Sequence, residues 1–377
     1  MSEYKYSTSH GAEQVKVLHI ISGGDSGGAR THVLSLLGAL RRTDQIRLLC
    51  LGGGPMADAA QRAGLPCTVV PGRFDLGVRE TGRIARDGGF DLLHCHGARA
   101  NLTGALAKKA AGVPVISTVH SDHTLDYLGR PGAGLVYGSL DRMALERMDA
   151  LVCVSRAMAD VYRSRGFQRV YHIYNGVEFD VPPVPRKQSG GCVLFGTLAR
   201  LDPVKDLQTM IRGFARAAER DPGIRLVIAG SGREERKLRS LIASLGMEDR
   251  ISLPGWVEDT ESFTAQLDAV LLTSLSETFP YALLSAARYS LPAAATRVGG
   301  VGELIVPGEG GFLLEPGDAE ALCEAILTLS GDADLRRKMG AALHRRAAER
   351  FSLAAMAERQ REIYKSVLSG AAGQTIS

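Results

Sequence analysis

Long apolar runs are missing from this chain of 377 residues. No stretch approaches the ~18 consecutive apolar residues of a membrane-spanning helix, so no segment reads as a bilayer span. Paired cysteines are missing as well. Cys50, Cys67, Cys95, Cys153, Cys192 and Cys323 are scattered, and none forms a C-x-x-C pair. They read as free thiols of a reducing cytoplasm, not as a disulfide framework. Tryptophan occurs once, at Trp256, where it either walls a pocket or simply packs. A dominant charge is also missing: 45 Lys+Arg stand against 41 Asp+Glu, a net +4. Up to Glu178 the count is 21 against 16 (21 − 16 = +5), and beyond it 24 against 25 (24 − 25 = −1). That basic excess is too small to argue for a nucleic-acid partner. It fits an anionic acceptor or a peripheral membrane contact through the N-terminal half. Met1 to Gln14 lack the basic start and apolar stretch of a secretory signal. They are expected to form a loose leader on a protein of the cytoplasm or of the inner membrane face.

What is present is ordinary for a globular protein. Hydrophobic residues make up 45% and charged residues 23%, with 44 Gly and 15 Pro, which excludes a disordered chain and a coiled coil. The length favours two domains of roughly 180 residues. Val15 to Ile21 is an apolar run that leads into the glycine-rich Ser22 to Gly28 and then a helically spaced stretch, Thr31 to Leu40. Further apolar runs follow at Ile46 to Leu51, Asp91 to His94, Val113 to Val119 and Ala150 to Val154. A second series begins at Cys192 to Phe195 and continues at Arg225 to Ala229, Ala269 to Leu272 and Pro292 to Ala295. Amphipathic stretches such as Leu207 to Arg220 lie between them. Continuous apolar strands alternating with helices predict parallel sheets covered on both faces. Glu178 to Gly191 has linker composition, with three prolines, charge and glycine. The fold expected is α/β, two doubly wound domains facing a cleft, with ligands beyond the carboxyl ends of the strands.

The glycine loops do not fit a dinucleotide fingerprint. Asp25 occupies the second glycine position of the first loop, and Glu235 stands where a third glycine would follow Gly230 and Gly232. Gly52 to Gly54 suit a tight turn, whereas Gly27 and Gly28 open a helix whose free N–H groups suit an anion. The stretch Gly196 to Asp206 follows the first strand of the second series and carries Arg200 and Lys205, two cations able to neutralise a diphosphate without a metal. A solvated basic pair is the plain alternative. In Ser274 to Ala287, Glu277 is placed at a helix start, either to accept sugar hydroxyls or to face the helix dipole.

Taken in order, these motifs resemble the retaining GT-B glycosyltransferases of family GT4 over nearly the whole chain. The resemblance rests on GGARTH (Gly27 to His32), DLLHCHGARAN (Asp91 to Asn101), VPVISTVH (Val113 to His120) and YNGV (Tyr174 to Val177). It continues through LARLDPVKD (Leu198 to Asp206), SETFPYALLSA (Ser276 to Ala286) and VGGVGELI (Val298 to Ile305). It implies a nucleoside-diphosphate sugar as donor and a glycan or lipid-linked acceptor, with no metal or other cofactor. Residues 1–178 would form the acceptor-side domain and 179–350 the donor-binding domain, with a helix at 351–368 crossing back onto the first. Arg200 and Lys205 match the diphosphate-binding pair, Glu277 the acid at the donor sugar, and His120 a first-domain histidine facing that sugar. Gly230, Ser231 and Val257 match loops near the base, Gly27 and Gly28 the mobile loop at the cleft. Thr278, Phe279 and Ser285 fall in the donor-binding helix motif. Three positions depart from the pattern: Ser285 where a second acid is usual, Pro280 where glycine is, and Gly302 where proline is.

Other clusters read more weakly. His94-Cys95-His96 resembles a metal cluster, but strand neighbours point to opposite faces and no further His or Cys stands at zinc-like spacing. His96 and Arg99 are expected at a strand end facing the cleft, in reach of an acceptor. Ser121, Asp122 and His123 are contiguous, which no hydrolase triad is. Asp332-Ala333-Asp334 reads as a helix cap. The resulting expectation is sugar transfer with retention in cell-surface polysaccharide or glycolipid synthesis. The alternatives are a sugar-nucleotide epimerase of the same fold and a non-catalytic sugar-nucleotide-binding scaffold.

Overall fold

The computed structural model describes residues 14–25, 27–121, 131–179 and 191–370. Most of the linker-like segment and residues Asp122 and His123 lie outside these described residues. The first seven strands are β1 (Lys16–Ser22), β2 (Gln45–Leu51), β3 (Cys67–Val70), β4 (Leu92–His96), β5 (Val115–Val119), β6 (Ala150–Cys153) and β7 (Val170–His172). They form one parallel sheet in the order β3-β2-β1-β4-β5-β6-β7. The next six are β8 (Val193–Leu198), β9 (Ile224–Ala229), β10 (Ile251–Gly255), β11 (Ala269–Leu272), β12 (Ala293–Thr296) and β13 (Gly311–Leu314). They form a second parallel sheet in the order β10-β9-β8-β11-β12-β13. Strand order reverses between β1 and β4 in one sheet and between β8 and β11 in the other. Crevices for ligands open at such reversals.

The apolar runs in the sequence became the central strands because helices cover both their faces. Every residue of β4, β5, β6 and β11 is buried. Four strands have no counterpart among the apolar runs: β3, β7, β10 and β13. All four are sheet edges. An edge strand pairs on one side only and is short, so it carries no continuous apolar signature.

The chain leaves the second domain along helix Ala333–Arg350 and re-enters the first as helix Leu353–Leu368. The Ser352 hydroxyl caps the latter by accepting from the Ala355 N–H at 3.2 Å. Met356, Ile363, Tyr364 and Val367 share one face of this helix and join the core formed by Val33, Leu36, Leu37 and Leu40 of helix Gly28–Leu40. Asp332 caps the preceding helix through the Leu335 N–H at 2.8 Å. The glycine loop at Gly23 is a packing feature. A Cβ there would lie 1.8 Å from the Gly52 carbonyl oxygen, so the Gly23–Gly24 and Gly52–Gly54 turns meet backbone to backbone. No helix among the described residues is long and apolar enough to cross a membrane.

Candidate active site

The carboxyl ends of the two sheets face a cleft of about 1970 Å³. Gly27, Gly28 and His120 line it from the first domain. Arg200, Lys205, Gly230, Ser231, Val257, Glu277, Thr278, Phe279 and Ser285 line it from the second. The end of β8 delivers Arg200, whose side chain is 57% exposed and whose guanidinium lies 3.3 Å from Asp202. Lys205 closes a 3-10 turn, Pro203–Lys205, held in place by the Thr273 hydroxyl donating to the Lys205 and Asp206 carbonyls. Its Nζ donates to Glu277 Oε1 at 2.6 Å, and the Ser274 hydroxyl donates to the same oxygen at 2.6 Å. The cation and the acid satisfy each other. An anionic group entering the cleft would meet a guanidinium paired with Asp202 but 57% exposed, and an ammonium that can exchange partners.

One sequence expectation needs correction here. The Asp206 carboxylate caps helix Leu207–Arg220 through Thr209, so the cations and not that helix end face the cleft. Glu277 is not at a helix start: helix Tyr281–Arg288 begins four residues later, with Pro280 as its cap. The loop before that helix is pinned across the domains. The Thr278 hydroxyl donates to the His120 carbonyl at 2.7 Å, and the Asn175 amide donates to the Phe279 carbonyl at 2.7 Å. The Phe279 ring is buried against Tyr174 and Phe351, so this residue anchors the loop rather than offering its ring to a ligand. Gly299 and Gly300 admit the loop. A Cβ on them would lie 1.6 Å from the Glu277 carbonyl and 2.3 Å from the Thr278 carbonyl, which accounts for the double glycine of VGGVGELI.

Two family models cover this architecture. "Glycosyltransferase Family 4" matches residues 26–181, and "Glycosyl transferases group 1" matches residues 187–346. The chain belongs to the group 1, family 4 glycosyltransferases. It is a nucleotide-sugar-dependent glycosyltransferase with the GT-B fold. Among curated relatives, it is 27% identical to N-acetyl-alpha-D-glucosaminyl L-malate synthase of Bacillus anthracis over 78% of this chain and 80% of that one. It is 27% identical to alpha-maltose-1-phosphate synthase of Mycolicibacterium smegmatis over 90% of this chain and 96% of that one. Among solved structures, Anabaena HepE in complex with UDP-glucose superposes with a TM-score of 0.82 at 22% identity, covering 94% of this chain and all of that one. Sucrose-phosphate synthase of Thermosynechococcus elongatus gives 0.80 at 18% identity, over 95% of this chain and all of that one.

In this glycosyltransferase, two cleft features were not legible in the motifs. Tyr281 lines the cleft, and its buried hydroxyl has no hydrogen-bond partner among the described residues. Burial pushes its pKa far up, so it stays a protonated donor. It adjoins Pro280, where the glycine N–H common at this position is absent. The other feature is the mouth of the cleft. Trp256, 56% exposed, follows β10, and the Arg30 guanidinium from the opposite domain sits 5.8 Å from its ring centre. Trp256 is therefore not a core residue: it lines the cleft and forms half of an interdomain contact.

The histidines hold the largest surprise. His96 and Arg99 do not line the cleft. Arg99 is exposed and donates to the Gly72 carbonyl, while His96 is fully buried. Cys95 does point away from its neighbours, toward Gly104 on the covering helix. His94 and His96, however, share a face, and the parallel register sets His19 of β1 beside His94. His19, His94 and His96 bring ring nitrogens within 4.8 Å of one another, as do His32, His96 and His120. No further His or Cys stands at zinc-like spacing in the sequence, yet the fold adds histidines to this cluster. The missing members come from adjacent elements, not from nearby sequence. Burial depresses all five pKa values, His19 to about 3 and His32 to about 4. These rings are neutral at physiological pH.

Proposed function

We propose that this glycosyltransferase moves a sugar from a nucleoside diphosphate to an acceptor hydroxyl with retention of configuration and without a metal, in the synthesis of a cell-surface polysaccharide or glycolipid. The observation that carries the reading is the placement of Arg200 and the Lys205–Glu277 pair at the second sheet's reversal, across the cleft from His120 and the Gly27–Gly28 helix start. Departure of the diphosphate leaves negative charge on phosphate and positive charge on the sugar ring. Arg200 and Lys205 stabilise the first, each by roughly 2–4 kcal/mol of barrier in a closed cleft. Freed from Lys205 by the phosphate, Glu277 accepts hydrogen bonds from sugar hydroxyls. Front-face attack, with the leaving phosphate oxygen taking the acceptor proton, needs no enzymic nucleophile. His120, neutral by burial, positions the sugar without placing a second cation beside the ring.

The names of the relatives support a sugar-nucleotide donor, and UDP-glucose occupies the similar HepE structure. The basic excess of the first domain supports an anionic or lipid-linked acceptor and a peripheral membrane contact. A radiolabelled panel of UDP-, GDP-, ADP- and dTDP-sugars tests the assignment. Donor consumption that depends on an acceptor and survives EDTA supports it. Interconversion of the donor alone identifies an epimerase, and binding with no turnover identifies a scaffold.

A further inference from the structure

Five hydrogen bonds join the buried histidines into one unbranched chain. Thr118 Oγ1 lies 2.7 Å from His94 Nε2, and His94 Nδ1 lies 2.8 Å from the Tyr364 hydroxyl. That hydroxyl lies 3.2 Å from His19 Nε2, and His19 Nδ1 lies 3.1 Å from His96 Nε2. His96 Nδ1 lies 3.1 Å from His120 Nε2, and His120 lines the cleft. Thr118, His94, His19 and His96 are all 0–1% exposed, and so is Tyr364. Three strands and the returning helix supply the links: β1, β4, β5 and Leu353–Leu368.

A neutral imidazole has one N–H and one lone pair. In this chain His94, His19 and His96 each use both nitrogens. The buried Tyr364 proton has only these two rings, His94 and His19, as acceptors among the described residues, so Tyr364 gives one bond and takes the other. Fixing the direction of any one bond therefore fixes all of them. Only two polarities exist, and the Thr118 end decides between them. If the Thr118 hydroxyl accepts from His94, its own buried proton has no acceptor, since His94 is its one hydrogen-bond partner among the described residues. A buried donor left unmade is the costlier outcome. The hydroxyl therefore donates. His94 then donates from Nδ1 to Tyr364, Tyr364 donates to His19, His19 donates from Nδ1 to His96, and His96 donates from Nδ1 to His120 Nε2. His120 is left with its proton on Nδ1.

We infer that Thr118, His94, Tyr364, His19 and His96 are positioning residues that lock His120 in the neutral Nδ1–H tautomer, so that it offers a donor to a substrate oxygen. The inference rests on the reading above, in which His120 faces the donor sugar. It gives the C-terminal helix a part in the site: Tyr364, carried back from the far domain, is the middle link. Because the ladder nitrogens already face one another across single protons, the cluster is read as a hydrogen-bond ladder and not as a metal site.

The test pairs Thr118→Val, which keeps the shape and removes the deciding proton, with Thr118→Ser, which restores it. In protein labelled with 15N-histidine, the imidazole shifts of His120, assigned through a His120→Gln variant, report which nitrogen carries the proton. The wild type and Thr118→Ser are expected to show Nδ1–H, and Thr118→Val a mixture of tautomers. In donor-panel kinetics Thr118→Val is expected to lose about 5- to 30-fold in kcat/KM for the donor at unchanged Tm, with Thr118→Ser closer to the wild type. Tyr364→Phe should show the same His120 mixture, which guards against a merely local effect at Thr118. An Nε2–H tautomer in the wild type overturns the inference, as does Thr118→Val kinetics equal to wild type. So does stoichiometric Zn²⁺ uptake that shifts the same resonances in protein as purified. A protein with no donor turnover at all overturns the functional reading instead, while the tautomer measurement still decides the ladder.

Discussion

In the proposed mechanism Lys205 and Glu277 are one pair with two partners each, the other residue and the donor. The ammonium and carboxylate bond at 2.6 Å with side chains only 20% and 10% exposed. On the proposed reading, removing Lys205 would delete a phosphate contact and strand the acid, so Lys205→Ala is expected to lower kcat/KM by on the order of 10²-fold with the fold intact. The check is steady-state kinetics with circular dichroism as the folding control, run with and without EDTA. A strict Mg²⁺ requirement would contradict the metal-free reading. Ser285, half-buried on the cleft wall, is the second residue-scale case. A glutamate there would accept charge-assisted hydrogen bonds from ribose hydroxyls worth roughly 1.5–3 kcal/mol, against about 0.5–1.5 kcal/mol for serine. Ser285→Glu is therefore expected to bind the ribonucleotide roughly 5- to 30-fold more tightly and to gain selectivity over the 2′-deoxy form. Calorimetry with both nucleotides decides this. A wild type that already prefers the ribose form strongly would show that another residue grips it.

At the scale of elements, β1 and β4 act through their register. Pairing His19 with His94 concentrates imidazoles where no water reaches. Burial lowers the pKa of His19 to about 3 and of His32 to about 4, while the Asn175 hydrogen bond raises that of His32 in part. The sign follows from linkage. The unfolded chain takes up protons below the ordinary histidine value of 6.5 and the folded chain does not, so the stabilisation is complete above that pH and is lost as pH falls toward 4 and 3. At pH 5 each of these two groups removes about 2 kcal/mol relative to pH 7.5. Denaturant unfolding across this range should show stability dropping steeply below about pH 6.5. A flat profile down to pH 4.5 would mean the rings are solvated. The returning helix is the other decisive element. Ile363 is fully buried in the first domain's core, so Ile363→Ala is expected to cost about 2–5 kcal/mol, measured as a lowered denaturation midpoint.

At the scale of the molecule, two separate cores face one cleft, and Arg30 meets Trp256 across its mouth. Ligand held by both domains favours closure about the connecting segments. Because Trp256 is the single tryptophan, its fluorescence reports on the mouth alone. Saturating nucleotide sugar should change that emission and reduce the radius of gyration in small-angle scattering. Identical emission and identical scattering curves at saturation would argue for a cleft fixed in its present opening.

Sequence and tertiary structure divided the work on a physical basis. Apolar runs long enough to be buried on both faces marked the nine inner strands. The position of Arg200, Lys205 and Glu277 on the cleft was legible because strand-end loops carry such residues in short, ordered motifs. The four edge strands were not legible, since one-sided pairing asks for no continuous apolar pattern. Nor was the Asp206 cap, which depends on a backbone turn at φ 43°. The histidine ladder could not be read at all: His19 and His94 are neighbours only through parallel register, and Tyr364 reaches them from the far end of the chain. A chain specifies which residues are apolar and which carry chemistry. Distances between residues far apart in sequence exist only once the sheets have paired and the last helix has docked, and in this protein those distances determine which proton His120 holds.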